Sequence, residues 1–186
     1  MSDVAAGIVV RPASAADAAA ISAVHRESWR TTYAGILPVD VIAREGGRKS
    51  EASWRHWLEN ADRASATLVA ELPREGVVGF SFCGAARAPL ERLEAEIYAL
   101  YVLQPHQRRG VGRELVAASA RHFVRQGLFG FYLWVLKANR ARFFYEALGG
   151  QPIAEKTEQL GGHPFNEIAY GWHDVGGLVA SGEDRS

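Results

Sequence analysis

Cysteine, net charge and long apolar runs are all scarce in this chain of 186 residues. Its one cysteine, Cys83, allows no intrachain disulfide and no cysteine-rich metal cluster, which favours a reducing compartment. Lys plus Arg and Asp plus Glu both total 21, so the basic excess typical of nucleic-acid-binding proteins is absent. No apolar stretch approaches the roughly 18 residues that span a bilayer, and residues 1–10 do not resemble a secretory signal. We therefore expect a cytoplasmic protein that binds neither nucleic acid nor membrane.

The spacing of the histidines and the overall composition indicate what kind of protein this is. The six histidines show no close metal-ligand spacing, so we predict no metal. His25 lies on an apolar helical face and is expected to be a core residue whose hydrogen bonds are satisfied. A chain with 48% hydrophobic and 23% charged residues is globular in composition, and its length suits one domain.

Hydrophobic periodicity predicts an α/β fold in a single domain that spans residues 8–174. The element order is β-α-α-β-β-β-α-β-α-β-β, a mixed central sheet of about seven strands flanked by four helices. The second helix, over 39–60, is expected to be interrupted at Gly46 and Gly47. The small, polar segment 175–186 is expected to be a disordered tail. The strands are predicted at 8–10, 67–71, 77–85, 95–103, 131–136, 151–159 and 166–173, and the other helices at 14–33, 110–127 and 139–148.

The turn at residues 107–112, Gln-Arg-Arg-Gly-Val-Gly, joins a strand to a helix. A helix N-terminus has unpaired N–H groups that attract anions, and Gly110 and Gly112 let a phosphate approach the backbone. Nearby counter-charge comes from Arg108, Arg109 and Arg113. This pattern indicates a pyrophosphate site, although strand-to-helix turns with Gly and Arg also occur for conformational reasons alone. Neither named nucleotide motif fits, because no Gly-x4-Gly-Lys-Ser/Thr string occurs and Leu115 breaks Gly-x-Gly-x-x-Gly.

Residues 107–112 instead match the Gln/Arg-x-x-Gly-x-Gly/Ala loop of the GNAT acetyltransferase superfamily. Residues 96–103 resemble its central strand, which splays from its neighbour, and residues 28–38 are similar to a first helix in a bacterial subgroup. The resemblance covers about 8–174 and is most specific over 96–150. A further match is the last-helix pattern of Asn139, Phe144, Tyr145, Glu146 and Gly149.

The resemblance implies an N-acyltransferase that moves an acetyl group from acetyl-CoA to a primary amine by direct attack in a ternary complex. No covalent acyl-enzyme is needed, and Cys83, on a predicted edge hairpin, does not resemble a nucleophile. A backbone N–H near Leu100 or Tyr101, at a strand bulge, is expected to bind the oxyanion. The expected coenzyme-binding residues are Leu100, Tyr101, Val102, Leu103, Gln107, Arg108, Arg109, Gly110, Val111, Gly112, Arg113 and Asn139. Within this set, Val102 and Leu103 would pair with the pantetheine amides, and Asn139 could also cap its helix.

Two side chains are candidates for proton transfer. The resemblance places Tyr145 beside the thioester sulfur as the acid; its alternative role is core packing. Glu96 lies eleven residues before Gln107, the offset at which histone acetyltransferases of the superfamily keep a base. Strand alternation puts Glu96 on one face with Tyr98, Leu100 and Val102. Glu96 is about 13 Å from Leu100, where the acyl carbonyl is expected, so a water molecule would have to carry the proton from the amine to Glu96. Substrate binding and simple solvation are the alternatives for Glu96.

The acceptor pocket is expected to include Trp29, Tyr33 and Tyr98, each of which could equally be core packing. The partner is an amine-bearing small molecule or peptide that the sequence does not name, and a homodimer is possible. The alternative function is a non-catalytic acyl-CoA-binding or sensing module on the same fold. Tyr145 and Glu96 favour the enzyme, because a pure binder needs no acid for the thiolate.

Overall fold

The computed structural model of the chain describes residues 7–62 and 64–180. Its centre is a seven-stranded sheet in the order β1-β2-β3-β4-β5-β7-β6. Only β4 and β5 pair in parallel; the other neighbouring strands are antiparallel. The predicted mixed sheet in an α/β domain is thus confirmed. The strands are β1 (Val9–Pro12), β2 (Ala66–Leu72), β3 (Gly76–Leu90), β4 (Leu93–Val102), β5 (Phe131–Leu136), β6 (Gln151–Leu160) and β7 (His163–Trp172).

The described residues form six α-helices where the periodicity predicts four. The segment at 39–60 divides, as its glycines suggest, and Ser50 Oγ accepts the N–H of Ser53 at 3.2 Å to begin the second piece. The sixth helix lies in the tail that was expected to be disordered, so that prediction is wrong for residues 176–180; residues 181–186 lie outside the described residues. The helices are α1 (Ala18–Thr32), α2 (Val39–Gly47), α3 (Glu51–Asn60), α4 (Val111–Arg125), α5 (Arg142–Ala147) and α6 (Gly176–Ala180).

Helices cover both faces of the sheet and so bury its apolar side chains. On one face, α1 and α3 pack Ile21 and Trp54 against Phe80 of β3. On the other, α4 packs Phe123 against Phe131 of β5, in a cluster that also contains Tyr145 from α5. Burial of these large side chains is the main favourable term for the fold. None of the described helices is long and apolar enough to cross a membrane.

A β-bulge in β4 changes which side chains share a face. Phe82 of β3 pairs with Ala99 and Cys83 with Ile97, so Tyr98 is the extra residue. Tyr98 consequently packs towards α1 and α3, whereas Leu100 and Val102 pack towards α4. The predicted common face for Glu96, Tyr98, Leu100 and Val102 is therefore wrong, because the bulge reverses the alternation. The same pairing places Cys83 on an internal strand, not at the predicted edge.

Candidate functional site

Strands β4 and β5 separate immediately after they meet. Their register contains a single pair, Glu96 with Tyr132, although both strands continue in the same direction. Beyond Glu96, the edge of β4 that faces β5 pairs with no other strand of the described residues. Such an edge exposes N–H and C=O groups that another extended chain can pair with. The predicted splay of the central strand is confirmed.

The hydrogen bonds of β4 decide which backbone groups face this gap. Leu103 donates its N–H to Val78 O at 2.9 Å, and its carbonyl accepts from His106 N–H at 2.9 Å. Because inward and outward residues alternate along an antiparallel strand, Leu100 and Val102 direct their N–H and C=O groups away from β3. The predicted pairing of Leu103 with a pantetheine amide is therefore wrong, since both of its backbone groups are engaged. The alternation also directs the N–H of Tyr101 towards β3.

The turn that leads into α4, at the end of the gap, has positive φ angles that few residue types adopt. Gly110 adopts φ 89° as the residue before the helix, and Arg108 adopts φ 58°. The first helical bond runs from Glu114 N–H to Gly110 O at 3.1 Å. The N–H groups of Val111 and Gly112 precede that bond, so they have no partner within the helix. The result is a positively polarised, left-handed turn suited to an anion.

Some side chains of the loop at 107–113 hold it in place by hydrogen bonds, whereas others are exposed cations. Gln107 Nε2 donates to Val102 O at 3.0 Å and so ties the loop to β4. Arg109 Nη1 lies 3.3 Å from His106 Nδ1 and is partly buried. Arg108 and Arg113 are exposed and have no ion pair among the described residues. The two exposed guanidinium groups supply counter-charge beside the helix N-terminus.

Tyr145 lies on α5, and Asn139 lies in the turn between β5 and α5. Tyr145 is 7% exposed and packs against Tyr170 and Trp172, and burial raises the pKa of its phenol, with a smaller contribution from nearby Tyr33. Asn139 Oδ1 accepts the N–H of Ala141 at 2.9 Å in the turn before α5. The expected role of Asn139 as the N-cap of its helix is wrong, because α5 begins later than predicted and its N-cap is Ala141. A buried phenol with a raised pKa is protonated at neutral pH and can donate a proton.

Trp29 and Tyr33 meet Tyr101 near the gap. The Trp29 and Tyr33 ring centroids are 4.5 Å apart, and Tyr33 lies close to the side chain of Tyr101. Burial is the largest cause of the raised pKa of both tyrosines. The indole Nε1 of Trp29 is buried and has no hydrogen-bond partner among the described residues. His25 Nδ1 lies 3.3 Å from Gly46 O, which confirms its expected role as a satisfied core histidine.

Glu96 is buried and fully engaged, which excludes the solvated alternative. Arg87 contacts its carboxylate through Nε, Nη2 and the backbone N–H, the Nε and backbone contacts being 3.1 Å. Tyr132 donates its hydroxyl to Glu96 Oε2 at 3.1 Å and to Ala88 O at 2.7 Å. The carboxylate is 1% exposed, while the Arg87 side chain is 65% exposed. A carboxylate held in this way must first lose a donor before it can accept a proton.

A cavity of about 440 Å³ lies between α3 and the bulged part of β4. Tyr98, predicted as a pocket residue, lines it and packs on Phe82 at 4.8 Å between ring centroids. Lys49 and Arg87 also line it, and sequence reasoning missed both. Their signal is weak in the sequence, because each is one of 21 basic residues and neither lies in a motif. Within residues 7–62 and 64–180, no three His, Cys, Asp or Glu side chains are grouped so that they could hold a metal ion.

Known proteins resemble this arrangement in sequence and in fold. The FR47-like protein family matches residues 83–159. The uncharacterized N-acetyltransferase YuaI of Bacillus subtilis (strain 168) is 32% identical over 171 residues, covering 92% of this chain and 96% of that protein. The PaiA N-acetyltransferase of Thermoplasma acidophilum, solved in complex with coenzyme A, is 23% identical with a TM-score of 0.66, covering 90% of this chain and 98% of that one. Arabidopsis thaliana NAA60, solved with a bisubstrate analogue, is 17% identical with a TM-score of 0.66, covering 89% and 97%.

Proposed function

The chain belongs to the GNAT superfamily of N-acetyltransferases and is an acetyl-CoA-dependent enzyme, and we propose that it acetylates a primary amine by direct attack in a ternary complex. The observation that carries the proposal is the gap between β4 and β5, which ends at the N-terminus of α4. One extended ligand with an anionic end suits both features. Acetyl-CoA has that form, and it supplies an acetyl group activated as a thioester.

The coenzyme's diphosphate fits the turn before α4. Unpaired N–H groups at Val111 and Gly112 and the exposed cations Arg108 and Arg113 attract its charge. The outward backbone groups of Leu100 and Val102 suit the amides of the pantetheine arm. Gln107 occupies the Val102 carbonyl, so the N–H of Val102 is the donor this residue offers, unless Gln107 is displaced. The coenzyme complex of the PaiA relative supports this placement by similarity of fold.

Acyl transfer needs a stabilised oxyanion and two proton movements. The amine nitrogen forms a bond to the thioester carbonyl carbon, the carbon–sulfur bond breaks, and the proton lost by nitrogen is balanced by one gained by sulfur. Leu100 is the best placed donor for the oxyanion, because its N–H faces the gap. Tyr145 is the acid for the thiolate, because it occupies the tyrosine position of the family's last-helix pattern and its phenol is protonated at neutral pH. The Tyr33 hydroxyl beside it is a second polar group at the same place.

The role of Glu96 as base stays a prediction. Its contacts with Arg87 and Tyr132 hold the carboxylate in an ion pair, so proton acceptance requires that pair to open. If Glu96 instead positions Arg87, the ion pair stays closed, because its contacts hold Arg87 at the rim of the cavity.

Initial-velocity kinetics and mass spectrometry test direct attack. A ternary complex predicts intersecting lines when acetyl-CoA and amine are varied together, and no acetylated protein when the amine is left out. Parallel lines together with an acetylated side chain would contradict the proposal. Cys83 is the obvious nucleophile to examine, but it is fully buried, and burial raises its pKa to about 12.

A further inference from the structure

The cavity beside Tyr98 has an aromatic wall and a floor next to the acyl position. Trp57 and Phe82 contact each other edge to face with ring centroids 4.9 Å apart, and Tyr98 continues the wall. Ala99 forms part of the floor, one residue before the outward N–H of Leu100. A volume of about 440 Å³ suits a molecule of amino-acid to dipeptide size. An amine bound here would approach the gap from the face of α1 and α3.

Among the described residues, two cations line this cavity: Lys49, which has no ion pair, and Arg87, which is paired with Glu96. Lys49 Nζ lies 4.7 Å from the Trp54 ring centroid and 5.2 Å from that of Phe82, with no ion pair to a described carboxylate. Although the residue as a whole is exposed, its apolar surroundings lower the pKa of Lys49, and the neighbouring Arg48 and Arg87 lower it further. Arg87 uses Nε and Nη2 for Glu96, so Nη1 makes no hydrogen bond to a described side chain.

Asp62 at the rim keeps its negative charge, but it forms no ion pair with Lys49 or Arg87 among the described residues. Asp62 Oδ1 accepts the N–H groups of Ala64 and Ser65 at 3.1 and 2.8 Å and the hydroxyl of Ser65 at 2.7 Å, all within its own loop. Lys49 and Arg87 lie close enough to repel each other. An anion between them would relieve this repulsion, whereas a polyamine or another polycation would increase it.

We propose that this cavity is the acceptor subsite and takes a small amine that carries a carboxylate beside an apolar side chain, as an amino acid does. The inference rests on the proposed function and adds the class of acceptor to it. Lys49 and Arg87 bind the carboxylate by charge-assisted hydrogen bonds. The apolar side chain packs against the wall that Trp57 and Phe82 form, and the amine points towards Ala99 and the gap.

Matched acceptors test the carboxylate directly. Three compounds share the amine and the apolar group: L-phenylalanine, its methyl ester and 2-phenylethylamine; L-methionine, its methyl ester and 3-(methylthio)propylamine form a second set. We expect kcat/KM to be about tenfold to hundredfold higher for the free acids, as for the loss of a hydrogen bond to a charged group. Equal or higher values for the esters and the simple amines would overturn the inference.

Substitution of Lys49 tests the residue. K49M should raise KM for the carboxylated acceptor about tenfold, leave kinetics with the simple amine unchanged, and be rescued in part by K49R. K156M is the matched control, because Lys156 Nζ also lies over an aromatic ring, 4.4 Å from the Trp134 centroid, but outside the cavity. Equal losses in K49M and K156M, or no acceptor-dependent loss in K49M, would overturn the inference.

Calorimetry with acetyl-CoA shows whether a negative result concerns only the class of acceptor or also the proposed acetyltransferase function. If the folded protein binds acetyl-CoA and acetylates spermidine or a peptide N-terminus in preference to both amino acids, the acceptor class is wrong and the proposed function stands. If it binds no acetyl-CoA, or binds it without acetylating any acceptor of the panel, both are overturned. Acetylation of the free acids with the Lys49 dependence above supports both.

Discussion

Glu96 and Arg87 form an ion pair between strands β4 and β3 in which only one partner is buried: the carboxylate is 1% exposed and the guanidinium 65%. Tyr132 completes the donors around the carboxylate. The burial of a charge is costly when its partner is removed, whereas an exposed charge is solvated by water. The pair is therefore asymmetric, with the carboxylate dependent on the guanidinium far more than the reverse.

We expect Arg87→Met to destabilise the fold more than Glu96→Gln. The first leaves a buried carboxylate without its cation and should lower the free energy of unfolding by about 3 kcal/mol, while the second should cost about 1 kcal/mol. Urea denaturation at pH 7 measures both. Equal costs, or a larger cost for Glu96→Gln, would show that the carboxylate does not depend on Arg87 in this way.

The kinetics of Glu96→Gln distinguish a base from a positioning residue. Because Arg87 and Tyr132 already engage the carboxylate, we expect KM for the acceptor to rise more than kcat falls. The pH dependence of kcat should keep its shape. A large fall in kcat with loss of the acidic limb of the profile would instead assign the base to Glu96.

Tyr145→Phe should lower kcat by well over tenfold, of the order expected for removal of a general acid, and leave acetyl-CoA binding nearly unchanged. The substitution removes a single oxygen, so the packing against Tyr170 and Trp172 is kept. Tyr170→Phe is the control: it lies in the same cluster, but its hydroxyl is bound to Glu146. Comparable turnover in the two variants would remove Tyr145 from the mechanism.

Two Gly→Ala substitutions should change the stability of the fold in opposite directions. A Cβ on Gly112 would lie 3.1 Å from Phe144 Cζ, so the ring must shift, and we expect a loss of about 1 kcal/mol. A Cβ on Gly47 meets no atom within 4 Å, and Ala there should stabilise the end of α2 by about 0.5 kcal/mol. Thermal unfolding of both variants gives the test, and a gain in Tm for Gly112→Ala would show that Phe144 does not pack this closely on Gly112 in solution.

Asp17 should contribute to stability at neutral pH but not in strong acid. Arg11 contacts both carboxylate oxygens at 2.9 Å, and this hydrogen bonding lowers the Asp17 pKa from 3.8 to about 2, assisted by Ser14. Because the folded pKa is depressed, the contribution is complete above pH 4 and is lost as the pH falls from about 4 to about 2. Asp17→Asn should thus cost up to about 2 kcal/mol at pH 6 and almost nothing near pH 2.

Denaturant titrations at several pH values check the Asp17 prediction. Asp40→Asn is a suitable control, since Asp40 makes no ion pair among the described residues. A stability difference between wild type and Asp17→Asn that does not change with pH would mean that the Arg11 contact is not formed in solution.

Helix α6 should contribute to stability although its sequence resembles a linker. Leu178 is buried in the cluster that α4 forms with β5 and β7, so Leu178→Ala should lower the free energy of unfolding by about 2–3 kcal/mol. Gly177→Ala, where a Cβ meets no atom within 4 Å, should have little effect. If Leu178→Ala leaves Tm unchanged, α6 does not dock in solution.

The loop at 107–112 and the strands around it could be predicted because their signals are local. Glycine at 110 is required by the positive φ there, and the apolar run of β4 is visible in any short window. The spacing of Tyr145 from Asn139 is also a local signal, and the role that it implies for Tyr145 stays a prediction. The tail helix could not be predicted from the sequence. Gly176–Ala180 is too short to be stable alone and forms because Leu178 is buried against the core.

The amino-acid sequence by itself determined the order of the seven strands, the single domain, the glycine turn before α4 and the family to which the chain belongs. The tertiary structure alone decided that Tyr98 is a bulge residue, that Leu103 is engaged on both its N–H and its carbonyl, and that Glu96 is paired with Arg87. It also brought Lys49 and Arg87 to one cavity. The physical reason is range: turn conformation and periodicity act between near neighbours, whereas strand register and charge pairing depend on groups that only the folded chain brings together.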